Sequence, residues 1–263
     1  MEQAPIITGP ISELRNVTKL YDKTAGIRNI SLRVNKGDFF ALLGPNGAGK
    51  STIIRILTTL LIPSSGDALV NGINVIDGGL AIRRDIGVVF QTPSLDDDMT
   101  ALENMLLHVD MYGIRRSVAK ERIDELLKLV ELKVKQNDLV KTFSGGMKRR
   151  LEIARALIHR PSILFLDEPT LGLDAQTRNL MWSYLRRLNS LESVSVFFST
   201  HYMHEVEQFA SRAAIIDNGS IVQVGEVEVI KRLTGESTFE AAYLALTGKD
   251  VRDQSDHERT TSL

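Results

Sequence analysis

Phe39-Phe40-Ala41-Leu42-Leu43-Gly44-Pro45-Asn46-Gly47-Ala48-Gly49-Lys50-Ser51-Thr52 joins a continuous apolar run to a glycine-rich loop and then to a helical pattern. An unbroken apolar run of this length is the mark of a strand buried on both faces, as in a parallel sheet. Residues 44–51 match G-x-x-x-x-G-K-[ST], and the spacing has a physical reason. Glycines let the backbone curl until successive N–H groups point at one anion. The helix that follows adds its own unpaired N–H groups and the positive end of its dipole. Lys50 would reach the outer phosphates of a nucleotide, and the Ser51 hydroxyl would ligate Mg²⁺. The alternative is a glycine-rich connection that binds nothing.

Outward from this loop, strands and helices alternate. Before it, Leu14-Arg15-Asn16-Val17 and Ile30-Ser31-Leu32-Arg33-Val34 alternate apolar and polar residues, the pattern of half-buried strands, with a turn at Lys36-Gly37-Asp38. After it, the spacing predicts a helix over 50–61 ended by Pro63, a strand over 86–90 and helical structure from Thr100 to Leu139. A helix over 145–159, a buried strand over 163–166, a helix over 175–190 and a buried strand over 194–199 follow. Asp217-Asn218-Gly219 reads as the turn of a hairpin, and 237–246 as a short helix. This order implies an α/β fold with a mostly parallel core sheet, an antiparallel N-terminal β region and an inserted helical lobe over about 92–146. Residues 1–10 are expected to be loose, 11–248 to form the domain, and the polar 249–263 to be an unstructured tail.

Composition narrows the function. Net charge is −1, which gives no electrostatic footprint for nucleic acid. There is no cysteine, so disulfides, thiol catalysis and thiolate metal sites are excluded. No stretch approaches the roughly 18 apolar residues of a spanning helix, and residues 1–10 do not read as a secretory signal. The expectation is a cytosolic chain whose membrane role goes through a partner.

Ile163-Leu164-Phe165-Leu166-Asp167-Glu168 carries two acids out of a buried strand. Ligands of open α/β sheets bind at that edge. Asp167 would hold Mg²⁺, and Glu168 would position or polarise an attacking water. Taken alone, the pair is also compatible with a solvated strand end.

The remaining motifs carry a resemblance. Phe143-Ser144-Gly145-Gly146-Met147 resembles the L-S-G-G-Q signature of ATP-binding-cassette (ABC) proteins, although Ser144 would equally serve as an ordinary helix cap. Gln91 stands at the place of the family's Q-loop, Pro169-Thr170-Leu171-Gly172-Leu173-Asp174 of its D-loop, and Ser199-Thr200-His201 of its switch histidine. Tyr21 stands at the place of the aromatic that stacks on adenine, where simple packing is the other reading. His201 and His204 lie one turn apart on an expected helix, so zinc and a solvated or packed histidine are rival readings. Met147 and Phe143 depart from the usual Gln and Leu, at positions that do not supply the phosphate-facing groups.

The family resemblance spans about Ile11 to Leu246, and within it Thr92 to Thr100, Phe143 to Leu157 and Phe239 to Gly248 look like the drug-resistance, daunorubicin-type exporters. It implies ATP and Mg²⁺ as cofactors and Gly44, Pro45, Asn46, Gly47, Ala48, Gly49, Lys50, Ser51 and Thr52 around the phosphates. It further implies Tyr21, Gln91, Ser144, Gly145 and Gly146 as nucleotide contacts, Ser51, Gln91 and Asp167 at the metal, and Glu168, His201 and Lys50 in hydrolysis. A polytopic membrane permease and a second nucleotide-binding domain, in a homodimer or heterodimer, are the implied partners. The implied function is ATP-driven export of a drug, lipid or glycan-type substrate from the cytoplasmic face of the membrane. The alternative is a non-transport ABC ATPase acting in translation or DNA maintenance. Against it, the stretch from Lys50 to Ser144 has room for a small helical lobe but not a long coiled-coil insertion.

Overall fold

The computed structural model describes residues 9–22 and 24–248. The expectations for residues 1–8 and for the tail at 249–263 lie outside these. In chain order the elements are β1 (Ser12–Tyr21), β2 (Thr24–Val34), β3 (Phe39–Leu43), α1 (Lys50–Leu57), β4 (Ser65–Val70), β5 (Ile73–Asn74), α2 (Gly79–Asp85) and β6 (Ile86–Val89). Then come α3 (Ala101–Met111), α4 (Arg116–Leu129), α5 (Gly145–Ala156), β7 (Ile163–Leu166), α6 (Ala175–Glu192) and β8 (Ser195–Thr200). The chain closes with α7 (Met203–Phe209), β9 (Arg212–Asp217), β10 (Ser220–Glu226), α8 (Val227–Thr234) and α9 (Phe239–Thr247).

The chain forms two compact units. One holds residues 9–82 together with 197–248, the other 83–196. In the first, β2, β1, β4 and β5 make an antiparallel sheet in that order. Its strands are half-buried, as alternation predicts, with irregular register at Asn16 and Asn29, which take positive φ. Glu13 is buried on β1 between Arg15, 2.6 Å away, and Arg33, 2.5 Å away. The hydrogen bond from Arg15 and then that from Arg33 hold its carboxyl below the usual range. The same unit contains β3 parallel to β9, and β10 antiparallel to β9 through the Asn218-Gly219 turn. Phe40 stacks on Phe197 with centroids 5.5 Å apart, and Phe39 meets Phe198 edge-on at 5.7 Å.

In the second unit β6 and β7 run parallel in the register Ile86↔Ile163 to Val89↔Leu166. The continuous apolar runs at β3 and β7 are buried along their whole length, as is β8 with its Ser195, Ser199 and Thr200. The larger departures from the sequence expectation lie in the helices and at His201. The helix expected over 50–61 stops at Leu57, because the Thr58 hydroxyl donates to the Ile54 carbonyl and Thr59 takes φ 65°. The helical stretch expected from Thr100 to Leu139 is broken at Gly113, with φ 65°, and again after Leu129, where Glu131 takes φ 56°. The helix expected over 145–159 ends at Ala156. His201 precedes α7, which starts at Met203, so His201 and His204 do not share a helix. Among the described residues no helix is long and apolar enough to cross a membrane.

Candidate functional site

In the first unit β3 delivers the glycine-rich loop to the start of α1. Gly49 takes φ 106°, and a β-carbon there would lie 2.8 Å from the Gly26 carbonyl oxygen, so both conformation and space require glycine. The loop is held from several sides. The Ala48 amide donates to Pro45 at 3.2 Å, the Gly219 amide at the hairpin tip donates to Ala48 at 3.1 Å, and the Gly44 amide donates to Thr200 at 3.3 Å. No side chain caps α1 among the described residues, and its first turn carries no acid. A helix start with no capping side chain and no acid of its own favours an anion, through its N-terminal N–H groups and the positive end of its dipole. Lys50 is buried, its ammonium donating to the carbonyls of Gly44 at 2.7 Å and Pro45 at 3.0 Å across the mouth of the loop. Ser51 and Thr52 are half-buried beside it.

Tyr21, at the end of β1, is 43% exposed, with its hydroxyl 3.4 Å from that of Thr52. An aromatic face is thus available next to the loop. His201 leaves β8 directly after Thr200. A buried pair fixes that exit: the Thr200 hydroxyl donates to Glu205 at 2.6 Å and accepts from the Tyr202 amide at 3.0 Å. The structure therefore brings Tyr21, residues 44–52 and His201 into one unit. Glu205, which the sequence analysis does not single out, sets the turn that presents the histidine.

In the second unit β6 and β7 deliver Gln91, Asp167 and Glu168 to the same edge, where the Asp167 amide donates to Val89 at 2.9 Å. Asp167 is buried, Glu168 half-buried and Gln91 exposed. Glu168 takes φ 46°, a left-handed conformation that a glutamate holds only where surrounding contacts enforce it. Ser144 caps α5, its hydroxyl oxygen accepting from the Met147 amide at 3.3 Å. The cap reading of the sequence is thus realised, and it uses a lone pair while the hydroxyl proton stays available to an anion. Gly145 has open space around it, whereas a β-carbon on Gly146 would stand 2.6 Å from the methyl of Thr177. Asp174 caps α6, accepting from the Thr177 amide at 2.9 Å and hydroxyl at 2.6 Å, which lowers its carboxyl pKa.

Two residues of this unit escaped the sequence reading. Arg149 and Glu152 lie on the side of α5 opposite its apolar face, where periodicity predicts solvent, yet both are buried. Arg149 donates to the carbonyls of Asp167 at 3.0 Å, Glu168 at 3.4 Å, Pro169 at 2.9 Å and Phe90. It also pairs with Glu152 at 3.2 Å. The available signal was their opposite charge at i,i+3.

Comparison with known proteins gives consistent matches. A family model described as ABC transporter matches residues 27–171. The linearmycin resistance ATP-binding protein LnrL of Bacillus subtilis is 38% identical over 87% of this chain and 73% of its own. The daunorubicin/doxorubicin resistance ATP-binding protein DrrA of Streptomyces peucetius is 38% identical over 95% of this chain and 74% of its own. The chain is also similar to a solved dimeric, post-hydrolysis ATP-binding cassette, MJ0796, bound to ADP and Pi. There the TM-score is 0.74 and the identity 32%, over 82% of this chain and 98% of that one.

Proposed function

The chain belongs to the ABC transporter family as an ATP-binding, ATP-hydrolysing cassette, and from that premise we propose that it drives export through a separate polytopic membrane permease. The observation that carries this reading is the loop at 44–52, with Lys50 spanning its mouth and an uncapped helix end behind it, in a chain 38% identical to two resistance subunits. The cargo class is a drug, lipid or glycan-type molecule. The catalytic domain is 11–248, with a helical lobe over about 92–146, and it sits at the cytoplasmic face of the membrane.

Residues 44–52 hold the phosphates, with Tyr21 against the base. Ser51, Gln91 and Asp167 supply oxygen donors, the set that suits Mg²⁺; the metal neutralises phosphate charge when bound. Glu168 orients the attacking water and His201 acts near the terminal phosphate. Ser144, Gly145 and Gly146 complete the site of a second copy, so that two chains close head to tail on two ATP molecules. Hydrolysis reopens the pair, and Gln91 with the helical lobe passes the motion to the permease.

The test is gentle purification of the chain from native membranes, followed by identification of its companions. A stoichiometric polytopic membrane protein is the expected result. Recovery with soluble assemblies alone overturns the transport reading.

A further inference from the structure

Arg149 and Glu152 are 7% and 2% exposed, and neither belongs to a nucleotide-contacting motif. A buried ion persists only where its hydrogen-bonding capacity is met. The acceptors that meet it here belong to two strand exits. Phe90 directly precedes Gln91, and Asp167 to Pro169 carry both carboxylates into the following loop. Glu152 accepts from the Ser94 amide at 2.8 Å as well as from Arg149, and Arg155 donates to the Ser94 carbonyl at 2.9 Å. The loop after β6 is therefore tied at Phe90 and at Ser94 to one helix, the helix whose first turn is Gly145-Gly146. That helix also grips the carbonyl of Glu168, the residue held at φ 46°.

We propose that Arg149 is a positioning residue for hydrolysis: its guanidinium fixes the backbone of Gln91 and Glu168 to the signature helix, and Glu152 orients it and extends the tie to Ser94. This rests on the assignment of Glu168 to the attacking water. A displacement of the loop at 91–94 then reaches the Glu168 backbone through one side chain, without passing through the sheet. Lysine cannot replace the arginine, because one ammonium nitrogen cannot span acceptors that three guanidinium nitrogens reach in a plane.

The experiment compares the full-length wild type with Arg149→Lys, Glu152→Gln and Glu168→Gln, measuring kcat, KM for ATP and nucleotide affinity. The expected result for Arg149→Lys is a kcat lower by about tenfold or more, with KM and affinity within about twofold, since the phosphate loop is untouched. Glu152→Gln retains an oxygen acceptor for Ser94 and shows the same split at smaller size. Amides over 90–95 and 167–171 exchange faster with solvent in Arg149→Lys, while those over 44–53 do not change.

An Arg149→Lys protein with wild-type kcat overturns the proposal, as does one in which kcat and affinity fall together. If Arg149→Lys does not fold, Glu152→Gln decides: an unchanged kcat overturns the proposal and a selective loss of kcat supports it. Glu168→Gln separates the two levels. Hydrolysis at full rate there removes the role of Glu168 and this proposal with it. A slow Glu168→Gln beside a fully active Arg149→Lys removes this proposal alone.

Discussion

Lys50 lies across its own loop, its ammonium shared between the carbonyls of Gly44 and Pro45. A cation already gathered at the mouth of an N–H-lined loop adds charge-assisted hydrogen bonds to an arriving phosphate, each worth about 1.5–3 kcal/mol. Lys50→Ala is therefore expected to weaken ATP binding at least about tenfold. Titration with a fluorescent nucleotide checks this, and undiminished affinity removes Lys50 from the site. This residue was legible in sequence because its motif is contiguous and each letter has a reason. Arg149 was not, since its partners are main-chain carbonyls, which no letter of the sequence records. The exit of His201 was misplaced for a related reason: the Thr200–Glu205 bond that sets the turn joins residues whose pairing has no periodic signature.

Helix faces were legible where one side meets solvent and obscure where both sides are covered. α5 is the example, with Ile153 and Ala156 buried on the side that also holds Arg149. The element scale also carries a pH response. His108 of α3 lies in a ring cluster with Tyr112, 4.8 Å away, and His159, 5.9 Å away, and Tyr112 stacks on His159 at 3.9 Å. Burial, then the charges of Arg155 and His159, push the His108 pKa from 6.5 down to about 4. His159 is lowered too, chiefly by burial. Because the folded pKa is depressed, the unfolded chain takes up its proton first as the pH falls. Stability is full above about pH 6.5, declines from there to about pH 4, and loses at most about 3 kcal/mol through this group. Urea denaturation at pH 7.5 and pH 5 is expected to show a smaller loss for His108→Gln than for the wild type. Equal losses would mean that the cluster does not carry the response.

Across the whole molecule, the fully apolar runs of β3 and β7 disclosed parallel strands, since burial on both faces leaves no alternation to misread. The half-exposed β4 and the helices α2 and α8 stayed hidden, because at 6, 7 and 8 residues they are too short for a period to stand out. The first unit is discontinuous in sequence: Tyr21 and the loop at 44–52 come from its early segment and His201 from its late one. The pairing of β3 with β9 waits for the chain to return after residue 197, a topology associated with slower folding. The contact between Gly146 and the Thr177 methyl has a consequence for how such a chain can drift over generations. Alanine at 146 is blocked while threonine stands at 177. Serine at 177 would keep the hydroxyl that Asp174 accepts and delete only the methyl. The two positions can thus be exchanged in one order, Thr177→Ser before Gly146→Ala, and a lineage that reverses it passes through a crippled intermediate. A double-mutant cycle on ATPase rate and stability reads this directly: Gly146→Ala is harmful alone and relieved in the Thr177→Ser background, whereas additive effects would mean the path is open in both directions.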